Sequence, residues 1–369
     1  MNEQNDDLEM IRHEARRFLG DVALPEHLKA LLEVPGSFDR QIWNSAVDLG
    51  WPATLHAEEN GGLGLGWSGL CVLAEEMGRK TVSLPLMSSA VAAYLVLSAG
   101  GAVFAQDLGK QLISGERHAC LALVTDGEAG NPQSGVIDMK GGKLHGRTAV
   151  VPFGASADYA LVTAQSSGVT QLVLVALEQK AVTRDIVPTI DNSRAGAVLR
   201  FDGAEAYSLA TGTYATQRLR QLSSAAALVT AFEQLGGAQA CLDMARDYAL
   251  ERKAFGQPIG RFQSIKAKLA DMYTRIEISR GCALDALGAL ERGEPEWFGL
   301  AAAARVGATD AYEIAARENV QTHGAIGVTW EALPHHHYRR SRALAVELGS
   351  AAAWRERLMA EIGCDRAAH

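Results

Sequence analysis

Between residues 118 and 210 the chain runs in short β-branched segments, CLALV, GVIDMK, GKLHGRTAVV, DYALVTA, TQLVLVAL and AVLRFDG, broken by Gly, Ser, Asn and Asp. Period-two runs with this punctuation predict an antiparallel β domain. Lys140-Gly141-Gly142 and Ser166-Ser167-Gly168 fit tight hairpin turns. On both sides the rhythm is helical. Leu8, Ile11, Ala15 and Phe18 recur at helical spacing, and further helices are expected over 37–49, 68–78 and 88–98, the last closed by Gly100-Gly101. After about residue 214 the chain is Ala-rich, with Ile265, Leu269, Met272 and Ile276 on one face, and the tail after Ile362 shows no pattern. The reading is an α+β multidomain chain: a helical domain over 1–117, a middle antiparallel β domain over 118–210 and a helical domain over 211–369.

Composition narrows the function. The 369 residues are 48% hydrophobic, enough for large cores. A formal charge of -8 disfavours nucleic acid, whose phosphates repel an acidic surface. The five cysteines, Cys71, Cys120, Cys241, Cys282 and Cys364, contain no CxxC pair and are odd in number, which reads as reduced thiols rather than a disulfide framework or zinc site. The start, MNEQNDDLEM, is too polar for a secretory signal. The apolar stretch Leu84–Leu97 is too short to span a membrane and reads as a buried helix. A cytoplasmic location is expected.

Two segments carry candidate chemistry. In ERKAFGQPIGRFQSIKAKLADMYTRIE a helix should end near Lys253 and a new one begin near Phe262. Arg252 offers a planar charged fork for a pyrophosphate, Phe255 an aromatic face, and Gln263 an amide near a helix start where anions are favoured. A charged residue closing a helix before a Gly turn is the plainer explanation. In QTHGAIGVTWE, Gly324 and Gly327 permit close backbone approach, and Gln321 leads into the turn. His335-His336-His337 resembles a metal tract, but three consecutive histidines cannot face one ion from a helix, so a surface or subunit-interface turn is expected. Glu58-Glu59 and Glu75-Glu76 are expected to be caps and salt links. Gly62, Gly64 and Gly66 have no preceding strand and no following Lys-Ser/Thr, so they are no phosphate loop.

Taken together, these segments resemble the acyl-CoA dehydrogenase family. RKAFGQPIGRFQ is similar to its R-x-x-F-G-x-x-x-x-x-x-Q motif, QTHGAIGVTWE to Q-x-x-G-G-x-G-x-x-x-E, and LGWPATLHAEENGGLGLGWSGL with LAEEMGR to its N-terminal stretch. The resemblance covers nearly the whole chain. It implies a C-terminal four-helix bundle, FAD as cofactor, an acyl-CoA substrate, α,β-desaturation, and electron-transfer flavoprotein as electron acceptor.

The resemblance also implies roles. Arg252, Phe255, Ile259 and Gln263 would reach across a dimer to a neighbour's FAD, with Gln321 and Gly324 near its pyrophosphate. Ala254 and Ala325 replace the family's Thr and second Gly. Thr125, with Asp126, stands for a flavin-contacting Thr-Glu pair. Val151, Pro152 and Phe153 occupy the place of a Trp-bearing strand, and a strand proline marks an edge or bulge. Arg340-Ser341-Arg342-Ala343 stands for R-D-A-K, which puts the usual catalytic Glu at Gly349 and a flavin-contacting Thr at Ala351. The alternative base position falls on Ala226. Glu347 and Glu233 are the nearest substitutes, so the base is unassigned. This pattern resembles the shorter, base-lacking subunit of bacterial α2β2 enzymes. A homo-oligomer with a displaced base and a non-catalytic thioester-binding homologue are the alternatives.

Overall fold

The computed structural model describes residues 2–99, 103–123 and 137–363. Gly100-Gly101, Thr125, Asp126 and the tail from residue 364, which includes Cys364, lie outside them. The chain packs as two units, one made of residues 30–70 and 83–226, the other of 2–29, 71–82 and 227–369.

The first unit is built on a sheet of β1 (Ala119–Ala122), β2 (Asp138–Lys140), β3 (Lys143–Val151), β4 (Tyr159–Ser166), β5 (Val169–Ala176), β6 (Val182–Ile186), β7 (Ala197–Glu205) and β8 (Tyr207–Thr211). The order is β6-β7-β3-β2-β4-β5-β8, with β1 beside β4. Pairing is antiparallel as expected, except that β1 and β2 both run parallel to β4. Both expected hairpins form. Lys140 faces Lys143 across Gly141 (φ 57°) and Gly142 (φ 79°), and Ser166 faces Val169 across Ser167 (φ 51°) and Gly168 (φ 79°). Two left-handed central residues match the twist of the flanking strands.

Helix α3 (Arg40–Asp48) is capped by Asp39, whose carboxylate accepts from the Ile42 N–H at 2.9 Å. Helix α5 (Leu86–Ala99) is buried along most of its length, as its run of apolar residues predicts. Helices α2 (Pro25–Glu33) and α6 (Val103–Ile113) were not legible in the sequence. Each is short and joined to its neighbour by few residues, so neither stands out as a separate period.

The second unit is helical: α1 (Asn2–Val22), the end of α4 (Gly66–Arg79), most of α7 (Gly212–Glu251), then α8 (Gln263–Arg292), α9 (Trp297–His323), α10 (Pro334–Leu344) and α11 (Ala351–Glu361). Small residues let α4 and α7 touch backbone to backbone. A Cβ on Gly78 would sit 1.9 Å from the Glu233 carbonyl oxygen, and one on Gly236 would sit 1.9 Å from that of Glu75.

Glu75 and Glu76 form the expected salt links. Glu75 accepts from Arg12 at 3.0 Å and Arg280 at 2.7 Å, and Glu76 takes both arms of Arg16. Burial alone would raise the Glu75 carboxyl, but the adjacent Arg280 and Arg12 charges hold it below its ordinary value.

The histidine tract departs from expectation. His335, His336 and His337 are buried in the first turn of α10 rather than exposed in a turn. Pro334 starts that helix, and the rings find separate neighbours: His337 bonds the Tyr312 hydroxyl at 3.0 Å, and His335 stacks on Trp330. Cys71, Cys120 and Cys241 are buried free thiols, and burial pushes Cys120 up to about 12. No described helix is long and apolar enough to cross a membrane.

Candidate functional site

The arginine-phenylalanine segment forms a small built hairpin. Helix α7 ends at Glu251, and the Arg252 N–H still donates to the Tyr248 carbonyl at 2.8 Å. Strands β9 (Lys253–Ala254) and β10 (Gln257–Pro258) then pair across Phe255 (φ 51°) and Gly256 (φ 78°). The Ile259 N–H donates to the Arg252 carbonyl at 2.8 Å and closes the base. Helix α8 begins at Gln263 without a side-chain cap, so its first N–H groups are open to an anion.

The tip is unusual in one respect. Phe255 is 96% exposed, edge-on to Phe262 with ring centres 6.1 Å apart, on left-handed backbone that a bulky residue rarely adopts. Among the described residues the side chains of Arg252, Gln263 and Gln321 make no hydrogen bond or ion pair within the chain.

The second segment lies alongside. Tyr248, one turn before Arg252, stacks on His323, with ring centres 4.2 Å apart and 28° between planes. His323 Nδ1 donates to the Asn319 carbonyl at 2.9 Å, which fixes its ring. Helix α9 therefore ends beside the end of α7, placing Gln321 and Gly324 near the hairpin's root. Gly324 has φ 64° and ψ −142°, a conformation open essentially to glycine alone. Leu250, Ile326, Val328 and Trp330 add exposed apolar surface on the same two segments. The stack of Tyr248 on His323 was not foreseen. Its trace in the sequence is Tyr248, one turn before Arg252, and a histidine inside the second segment.

An exposed flat ring, a free guanidinium, unpaired amides and an open helix start are the donor set that a flavin nucleotide requires: π-face, pyrophosphate and polar ring edge. The residues present fit FAD.

The other expected parts of a flavin site are differently disposed. Strand β3 stops at Val151, and Phe153 (φ 60°) turns inward, 3% exposed, edge-on to Phe38 and beneath the Arg194 guanidinium. Thr125 lies outside the described residues. Ala226 is wholly buried within α7 and Gly349 is buried, so neither base position presents a carboxylate. Gly349 has φ 108° and follows Leu348 at φ 60°, so a glutamate there would be held on strained backbone. Ala351 opens α11, behind a Ser350 cap.

This loop is firmly held. Buried Arg305 donates to the carbonyls of Leu344 and of Glu347, the latter at 2.8 Å, and the Trp354 indole donates to Leu348 at 3.1 Å. Arg305 was missed in the sequence, although a lone charge inside the run AAAARVGAT was its signal. Glu347 is half-buried. Glu233 is buried and bonded at 2.9 Å to Arg340, whose other hydrogens go to the carbonyls of Thr81 and Val82.

Comparison with known proteins places this geometry. The N-terminal domain of acyl-CoA dehydrogenases matches residues 5–116 and the C-terminal domain matches 213–363. Acyl-CoA dehydrogenase IpdE2 of Mycobacterium tuberculosis is 28% identical over 355 residues, 96% of either chain. Among solved structures, the Tcur3481-Tcur3483 steroid ACAD variant superposes with a TM-score of 0.89 at 28% identity, over 99% of this chain and 100% of that one. The ChsE4-ChsE5 complex of Mycobacterium tuberculosis superposes with a TM-score of 0.87 at 26% identity, over 98% of each chain. Two domain matches in the right order, together with the same fold end to end, show that this chain belongs to the acyl-CoA dehydrogenase family of oxidoreductases.

Proposed function

We propose that the chain is one subunit of a heteromeric acyl-CoA dehydrogenase, lending Arg252, Phe255, Ile259, Gln263, Gln321 and Gly324 to FAD in a partner subunit that carries the catalytic carboxylate. The observation that carries this reading is Phe255, almost fully exposed on a preformed hairpin beside polar groups with no use inside their own chain. An aromatic ring left in water costs free energy, and the cost is recovered only where another surface covers it.

The reaction is α,β-desaturation of an acyl-CoA thioester, with the α proton going to the partner's carboxylate. FAD, when bound, would supply the hydride acceptor that the desaturation needs. This chain's part is positioning. Arg252 sets charge against the pyrophosphate, Phe255 shields the ring system from water, and the start of α8 with Gln263 offers N–H groups. Electron-transfer flavoprotein is the proposed acceptor. The likeness to a steroid ACAD supports a bulky, steroid-derived acyl group.

Two observations speak against a self-sufficient homomer. Glu233 is committed to Arg340, and Gly349 has backbone unsuited to a carboxylate-bearing residue. The chain should be purified alone and co-expressed with a second acyl-CoA dehydrogenase chain. Light scattering and flavin absorbance are expected to show FAD and turnover only in the mixed assembly. Full FAD loading and desaturation by the chain alone would overturn the proposal.

A further inference from the structure

A cleft of about 580 Å³ opens in the helical unit, between the α1–α2 turn, the end of α4, the C-terminal half of α7 and the start of α10. That volume is within the range of small-molecule sites. Its inner wall is apolar, made by Leu19, Leu24, Leu28, Met244 and Leu333. Its charged side is unbalanced. Each carboxylate in reach already has a hydrogen-bonded guanidinium: Glu75 has Arg12 and Arg280, Glu76 has Arg16, and Asp243 has Arg246 at 3.2 Å.

Arg79 has none. Its nearest carboxylate oxygens lie 3.6 Å, 3.7 Å and 3.8 Å away, beyond hydrogen-bond distance, and its Nε is buried without a partner. Lys80 follows it, exposed and unpaired among the described residues. Two adjacent cations, one with an unused donor, therefore stand at the edge of an apolar trough.

We propose that this cleft binds an amphipathic anion, a free carboxylic acid whose head meets Arg79 and Lys80 and whose apolar tail lies along Leu19, Leu28 and Met244. The inference is independent of any subunit role, because the whole cleft lies within one unit of this chain. It is tested with decanoate as probe, by calorimetric titration of the full-length chain in its purified assembly. Decanoate should bind saturably, while acetate and decanol, lacking the tail or the charge, should bind at least about tenfold more weakly. Ala23→Trp, which fills the trough, should abolish binding. Arg79→Gln should weaken it about tenfold. If Arg79→Gln fails to fold, Lys80→Gln at an exposed position reads the same charge. Absence of saturable decanoate binding, equal affinity for decanol, unchanged affinity in the variants, or displacement by an acyl-CoA would each overturn the assignment.

Discussion

Phe255 is left almost fully exposed and Arg252 without a partner inside its chain, which is where the proposed function puts them to use. Neither supports its own fold, so Phe255→Ala and Arg252→Gln should leave unfolding free energy within about 0.5 kcal/mol of the parent. In the mixed assembly they should weaken FAD by about tenfold and by about 10- to 100-fold, the larger loss reflecting a charge-assisted hydrogen bond of about 1.5–3 kcal/mol. Flavin fluorescence titration beside a urea melt separates the two effects. Glu233 and Arg340 are the opposite case, a buried pair wired to the backbone of residues 81 and 82. Glu233→Gln strands a buried guanidinium and should cost about 3–5 kcal/mol in urea unfolding. Arg252, Phe255 and Gln263 are picked out in the sequence by a motif that fixes their spacing, and their role at FAD is the proposal made above. The duties of Glu233 and Arg305 could not be read there. Glu233 meets a partner 107 positions away, and Arg305 serves carbonyls about 40 positions on, so no local pattern encodes either.

Elements were legible where their period is long or their turn chemistry is strict. Both glycine hairpins of the sheet could be placed to the residue. The parallel partners of β4 could not, because strand order is decided by packing at long sequence separation. The α4–α7 crossing is a third case: LAEEMGR reads as an amphipathic helix end, yet its glycine is there for contact. Gly78→Ala and Gly236→Ala each place a methyl group 1.9 Å from a carbonyl oxygen, which no rotamer relieves. Each should separate the helices and cost about 3 kcal/mol or more. An equal substitution at Gly281, where a Cβ meets nothing within 4 Å, should be neutral or slightly stabilising. Thermal unfolding of the three variants checks the contrast.

Across the molecule, each packing unit contains a buried neutral histidine. Burial lowers His56 to about 4, and burial aided by the charge of Arg340 lowers His337 to about 3. In the unfolded chain both take up a proton near pH 6.5. Between those values the unfolded state holds more protons, so stability is full above about pH 6.5 and falls as acid is added. From pH 6 to pH 5 the loss should be about 2 kcal/mol for the pair, measured by urea unfolding at each pH. A flat profile over that interval would show that these rings are not held neutral. The two units are assembled from separated stretches, with residues 2–29 and 71–82 joining the C-terminal helices. Composition along the chain is blind to such joining, since it registers neighbours in sequence and not in space.

The left-handed turn at Leu348 and Gly349 limits how such a chain can be repurposed. Arg305 and Trp354 clamp the carbonyls around it, so the peptide cannot relax to suit a newcomer. If the chain works as the proposed helper subunit, converting it into a stand-alone catalyst is a task of loop redesign, in which the clamp, the turn and the acid must be exchanged together, and a single codon change will not achieve it.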